Sequence, residues 1–479
     1  MMVSKMDRRR LCLVFFASAL GVGASTAPAR EHAKPLAIVG ATVVHPERDS
    51  DPTLPDATVL IEGERIVAVG PRASTRLPAG AEVIDGKGKW LIPGMIDGHV
   101  HFFQSGNLYT RPDIADFNAT VPYANEVERN KAHLPMTFKV WLASGITGVI
   151  DVGGPFWNFE VRDAARRSDA APRVQATGPL ISTAARPQLD LGDPPIIRIE
   201  SADAARALVA RELEKNPDFI KVWFLHQKGE DLAAQEAIVK ATADAAHAGH
   251  VRLAVHATEL DVAKAALRAG ADYLVHSVED RPVDDEFIAL MQKNHALLCP
   301  TLFVLNGYRL ALSHRWRPTA DDERLGDPAI VASLVHDLDR MAKDEIPERI
   351  RKATAANAPI VPPAVPMKNL KALWDAGVPI VMGTDAGNIG TLHGPAVFRE
   401  MALMQEAGLT PLEVLRSATT NGAKAMGRDD LGAIASGKLA DLVLLDADPL
   451  VDVANLSHAS RVIKGGAAYE PAKLMASIR

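Results

Sequence analysis

Cysteine is nearly missing from this sequence: 479 residues hold two, Cys12 and Cys299. Cys12 falls in a leader-like N-terminus, so the mature chain would keep one thiol and form no internal disulfide. Cys299, in "ALLCPTLF", reads as a small buried hydrophobe. An excess of one charge is missing too. Lys and Arg number 53 against 59 Asp and Glu, for a formal net charge of −6 without long runs. That balance gives no footing for nucleic acid or an anionic membrane as partner. Long apolar runs are also missing. The stretch from Leu11 to about Val22 is too short to span a bilayer. With basic residues before it and a small-residue "APA" (Ala27–Ala29) after it, residues 1–29 have the layout of an export signal cut before Arg30. The expectation is an exported, periplasmic or secreted protein with no membrane part in its mature form.

What remains is the composition of a globular chain, 47% hydrophobic and 23% charged, long enough for one large barrel and a smaller domain. Residues 36–92 read as short strands, with "ATVLIEGERIVAVG" a hairpin about Glu62–Gly63. Residues 430–479 read the same way, in "ADLVLLDADP" and "RVIKGGAAYE". The two ends therefore predict one small β-sandwich domain, interrupted by residues 93–429. In that middle region short apolar runs alternate with Ala-, Leu- and Glu-rich helical stretches. One run ends at His101, and the others are 145–154, 172–182, 218–224, 252–258, 271–278, 296–304 and 379–387. Near-continuous apolar strands separated by helices argue for a parallel sheet, and this many units for an α/β fold of the (β/α)8, TIM-like barrel type. Residues 308–370 overfill one connection and read as a helical insertion over the barrel mouth, with "APIVPPAVP" (357–365) a stiff linker. Thr410, Pro411 and Glu413 form a capping-box signature.

"IPGMIDGHVHFF" (92–103) carries the first chemical signal. In a strand, alternate side chains share a face, so His99 and His101 aim their imidazoles at one point, as a metal requires. Active sites of such barrels gather at the C-terminal ends of the strands. Lys221, His256, His276 and Asp385 all lie on or at the ends of expected strands. Each alone has a bland reading: a satisfied polar residue, a snorkelling lysine, a turn aspartate. Together they point to a metal site.

The segments "PGMIDGHVH", "DFIKVWF", "VHATE", "LVHSVED" and "GTDAGN…HG" resemble the amidohydrolase superfamily of metal-dependent hydrolases, in its imidazolonepropionase-like and prolidase-like branches. "GKLADLVLLDADP" (437–449) resembles that family's C-terminal return, so the likeness covers almost the whole mature chain. The resemblance implies two divalent ions, with zinc the first candidate. His99 and His101 would hold one with Asp385, His256 and His276 the other, and Lys221 would bridge them as a carbamate. It implies hydrolysis of an amide or similar C–N bond, with Asp385 moving the proton from water to the leaving nitrogen. The substrate would be a small-molecule amide or dipeptide, as for a dipeptidase or N-acyl amino acid hydrolase. His393, His226 and Tyr109 are the expected substrate contacts, and the aromatic loop 153–160 either forms an apolar wall or packs under a helix. Such barrels often pair, so a homo-oligomer is open.

Two alternatives stand beside this reading. "HATE" places Glu259 three residues after His256. In the deaminase and cyclic-imidazolone branches such a glutamate shuttles protons at a single metal. Glu259 also reads simply as the first-turn acid of the next helix. The second alternative is a metal-free barrel serving in assembly, against which every ligand position here is filled.

Overall fold

Branched apolar residues crowd both ends of the chain and pair with one another. The computed structural model describes residues 34–478, so the export-signal reading of residues 1–29 lies outside the described residues. The N-terminal strands are β1 (Leu36–Val44), β2 (Thr53–Glu62), β3 (Arg65–Pro71), β4 (Glu82–Asp85) and β5 (Trp90–Pro93). The middle strands are β6 (Met95–Val100), β7 (Ile146–Asp151), β8 (Arg173–Ala176), β9 (Leu180–Ser182), β10 (Ile196–Arg198), β11 (Phe219–Trp223), β12 (Arg252–His256), β13 (Tyr273–Val275) and β14 (Leu297–Cys299). Near the C-terminus follow β15 (Leu442–Leu445), β16 (Ala459–Lys464) and β17 (Ala467–Tyr469).

The two ends form one eight-stranded sheet in the order β17-β16-β15-β5-β1-β2-β3, with β4 beside β1. The expected hairpin turns at Gly63, which takes a left-handed φ of 56° between β2 and β3. The sheet curls on itself. Ile66 N donates to Lys438 O (2.9 Å) and Ala440 N to Glu64 O (2.8 Å), which ties β3 to the segment before β15. The expected two-sheet sandwich is therefore a single rolled sheet, because curling lets one sheet bury its own inner face. Ile38, Val59, Leu91, Leu442 and Ile463 fill that face.

The middle of the chain is α/β. Strands β6, β7 and β8 form one parallel sheet, and β10-β9-β11-β12-β13-β14 another. Helices such as Tyr123–Ala143, Leu232–Ala248 and Leu260–Ala269 alternate with the strands. Strands β8 and β9 both come from the single run 172–182, broken at Thr177–Pro179. The run 379–387 forms no regular strand, since Asp385 (φ 59°) and Gly387 (φ 106°) leave the extended region. It still bonds on both sides: Val381 N to Leu298 O (2.8 Å) of β14, and His101 N to Ala386 O (2.8 Å) just past β6. The eight strands expected in one barrel are thus two parallel sheets whose edge strands share an irregular eighth run.

Thr410 and Glu413 form the expected reciprocal cap on the helix Pro411–Ala418. The insertion folds as short helices, among them Val304–Leu312 and Glu348–Ala356, and packs Trp316, Leu334 and Ile350 on Leu108 and Phe117. Sheet and body are stapled at Asp441. It accepts from Arg173 Nε (2.7 Å) and Nη2 (3.0 Å) and from Gly465 N (2.8 Å). Among the described residues, no helix is long and apolar enough to cross a membrane.

Candidate metal centre

Strand period brings the first ligands in. Asp97, His99 and His101 share a face at the end of β6. Asp97 accepts from His99 N (3.0 Å), Thr384 N (3.0 Å) and Thr384 Oγ1 (2.6 Å), which pins β6 to the run holding Asp385. Burial pushes the Asp97 carboxyl up to about 7. The Nε2 atoms of His99 and His101 lie 3.3 Å apart, and Asp385 Oδ1 lies 3.2 and 3.1 Å from them. His101 Nδ1 donates to Gly153 O at 2.7 Å, which leaves its Nε2 as a lone pair facing the cluster.

His276, at the end of β13 with φ 73°, shares a 2.6 Å hydrogen bond between its Nδ1 and Thr301 Oγ1. Its Nε2 lies 3.9 Å from Asp385 Oδ2. The His99 and His276 rings are 4.9 Å apart between centroids, and those of His256 and His276 4.4 Å. One ligand atom each from His99, His276 and Asp385 falls within 4.8 Å of the others. Lys221 extends from β11 into the same cavity, 1% exposed, and makes no hydrogen bond or ion pair among the described residues.

Burial dominates the electrostatics. It lowers His99 and His256 to about 3 and His276 well below its ordinary value, which favours the neutral form of these three imidazoles. It lowers Lys221 to about 7, against the pull of Asp385. Burial acts in the opposite sense on Asp385, but His99 and His101 hold its carboxyl well below the usual range. Neutral imidazoles around a carboxylate are the donor set of a zinc-type divalent ion. Two buried atoms, His99 Nδ1 and Asp385 Oδ1, have no hydrogen-bond partner in this arrangement. An oxygen 3.1–3.2 Å from two imidazole nitrogens is placed to share a cation with them.

All six expected ligands line one cavity of about 360 Å³. The expected substrate contacts do not. Tyr109 turns its hydroxyl to Asp337 (2.7 Å) and its ring to Phe117. His226 Nδ1 shares a hydrogen bond with Gln235 Oε1 (2.8 Å). His393 stacks on Phe102, with Nε2 3.2 Å from His101 O, and lines no part of the cavity. Glu259 is exposed, sits at the N-terminal cap of the helix Leu260–Ala269 and lines no part of the cavity. Its side chain makes no cap hydrogen bond, and the acid in the first turn of that helix is Asp261. Phe156 and Trp157 of the aromatic loop line a separate surface cleft. Walls that do face the cluster include Trp223, Glu279 and Asn388, which lie in the quoted segments without an assigned role, and Arg111, Tyr308 and Arg349, which lie outside them. Only Arg111 offered a local signal, the ion-pairing "RPD" of residues 111–113.

Comparison with known proteins agrees with this geometry. A family model described as the amidohydrolase family matches residues 90–468. An uncharacterised Mycobacterium tuberculosis protein is 26% identical over 425 residues, 87% of this chain and 94% of its own. Imidazolonepropionase of Streptomyces coelicolor is 25% identical over 416 residues, 83% and 88% of the two chains. Among solved structures, a prolidase complexed with N-methylphosphonate-L-proline is similar at a TM-score of 0.68 and 26% identity, covering 91% of this chain and 100% of that one. A Xaa-Pro dipeptidase with bound methionine in its active site gives 0.68 at 24% identity, with the same coverage. The chain belongs to the amidohydrolase family, and it is a hydrolase acting on carbon–nitrogen bonds.

Proposed function

We propose that the protein hydrolyses the amide bond of a dipeptide or an N-acyl amino acid, with two divalent ions, zinc foremost, held by His99, His101, His256, His276, Asp385 and a carboxylated Lys221. One observation carries the two-ion reading: Lys221 is a buried amine beside neutral imidazoles and a carboxylate, with no partner of its own. A charged ammonium there would be expensive. With its pKa lowered to about 7, a large share of the amine is neutral at neutral pH, the form that reacts. The nitrogen lone pair attacks carbon dioxide, a C–O π pair moves to oxygen, and a proton leaves the nitrogen. The carbamate would then be an anionic oxygen donor able to bridge the two ions.

Bound divalent ions supply Lewis acidity toward the substrate carbonyl and toward water. The rest falls to the chain. Asp385 accepts the proton of the attacking water and returns it to the leaving nitrogen as the C–N bond breaks. Gly153 O fixes the His101 tautomer, and Thr301 orients the His276 ring. Asn388 Nδ2 donates to Asp385 O (3.1 Å) and steadies its left-handed backbone. The likeness to prolidase structures supports a dipeptide-like substrate, and the exposed position of Glu259 disfavours the single-metal alternative.

The test counts metal and screens dipeptides and N-acyl amino acids on the same sample. Two ions per chain with amide turnover is the expected result. Full activity at one ion per chain overturns the Lys221 bridge.

A further inference from the structure

Beyond the ligand cluster, the cavity carries its fixed charge unevenly. Arg111 is held in place: Nε and Nη2 donate to the two oxygens of Asp113 (2.7 Å each), and Nη1 to Tyr308 Oη (3.0 Å) and Asn388 Oδ1 (2.9 Å). Arg186 Nε approaches the same Asp113 carboxylate at 3.4 Å. One carboxylate thus answers two guanidinium groups, and Asp385, the other negative charge acting on Arg111, belongs to the ligand cluster. Arg349, on the helix Glu348–Ala356, adds a further guanidinium. Its Nη1 lies 3.4 Å from Ile114 O, three residues beyond Arg111. The side chain is exposed, and this long contact is its one hydrogen bond among the described residues. Burial pushes the Tyr308 phenol up; Arg111 and, more weakly, Arg349 oppose that push, while Asp385 and Asp113 add to it. The remaining ionisable wall residue is Glu279, whose carboxyl is pushed up by burial against the pull of Arg309. Trp223, Leu180 and Ile196 give the cavity an apolar wall.

We infer that the Arg111–Tyr308–Arg349 corner receives a carboxylate of the substrate, with Arg349 pairing to it directly. Arg111, its donors largely spent on Asp113, Tyr308 and Asn388, supplies fixed positive potential and holds the Tyr308 hydroxyl in place. This rests on the amide-hydrolase reading, whose substrates carry a free carboxylate, and adds the residues that receive it. The preferred substrate is an amide bearing a free carboxylate and an apolar side chain, and Arg349 sets the specificity.

The metal-loaded enzyme is offered N-acetyl-leucine and its carboxamide, with acetate release as the readout. Binding of N-methanesulfonyl-leucine and its carboxamide, which are not cleaved, is measured by calorimetry. The carboxylate member of each pair is expected to win by about 10- to 100-fold, the usual worth of a hydrogen-bonded charge, seen mainly in KM. Arg349→Gln should bring both ratios close to one, Arg349→Lys should restore part, and Arg349→Glu should invert them. A wild type without preference, or an Arg349→Gln variant that keeps it, overturns the assignment. The two readings fail separately. Equal cleavage of both acetyl compounds keeps the hydrolase and removes the corner. Arg349-dependent binding without cleavage keeps the corner and removes the hydrolase. Neither binding nor cleavage removes both.

Discussion

Replacing Lys221 by methionine should stabilise the metal-free protein while it destroys the enzyme. The side chain is 1% exposed and makes no ion pair among the described residues, and the pull of Asp385 offsets only part of the cost of burial. Its pKa falls from an ordinary 10.5 to about 7 through burial. At about 1.4 kcal/mol per pH unit, the folded state gives up roughly 5 kcal/mol at neutral pH as an upper bound, and relaxation and water entry reduce it. Methionine is unbranched and of similar length, so it fills the site without the charge. The sign follows from proton counting. Between pH 7 and 10.5 the unfolded chain binds more protons at this lysine than the folded chain does, so wild-type stability rises with pH. Below pH 7 the variant holds its whole advantage, and above 10.5 it holds none. Urea unfolding of chelated protein in degassed buffer reads this directly. Relative to Lys221→Met, the wild type should gain about 2–3 kcal/mol from pH 7 to 9. The loaded variant should lose most turnover and one bound ion. Equal stability of the two chelated proteins, with parallel pH profiles, would refute the argument that burial keeps this amine close to neutral.

Thr301→Val removes the 2.6 Å partner of His276 Nδ1, and metal affinity or activity should drop about 10- to 100-fold by competition with a chelating dye. Glu259→Gln should leave kcat and KM as they are, because the side chain is exposed and off the cavity; a hundredfold loss would revive the single-metal mechanism. Asp441→Ala leaves Arg173 unpaired between sheet and body, and should cost about 3–5 kcal/mol in chemical denaturation.

The candidate ligands were legible because strand geometry is nearly digital. His99 and His101 share a face by a period of two, and the ends of the parallel strands converge wherever the sheets bend. His256, His276 and Lys221 follow from the same rule. The eighth run was legible in position but not in conformation, since a positive φ at Asp385 leaves no mark in an apolar pattern. The cavity walls were least legible. Arg111, Tyr308 and Arg349 come from a loop and two separate helices, whose approach depends on long-range packing such as Trp316 against Leu108. Tyr109 stands two residues from Arg111, yet it faces Asp337 instead, a direction set by Asn107 and the turn that follows. The sandwich expectation failed for a related reason. Strand content is local, whereas the closure of β3 against residues 438–440 is made across the whole chain.

That closure also dictates a schedule on the ribosome. Strand β5 ends at Pro93, two residues before β6 begins, and its partner β15 starts at Leu442. At a synthesis rate of about 5–20 residues per second, the nascent N-terminal strands wait roughly 20–70 seconds for the tail that completes them. Throughout that interval β5 presents an unpaired edge beside the segment carrying His99 and His101, and a chain released early would keep that edge open to other polypeptides.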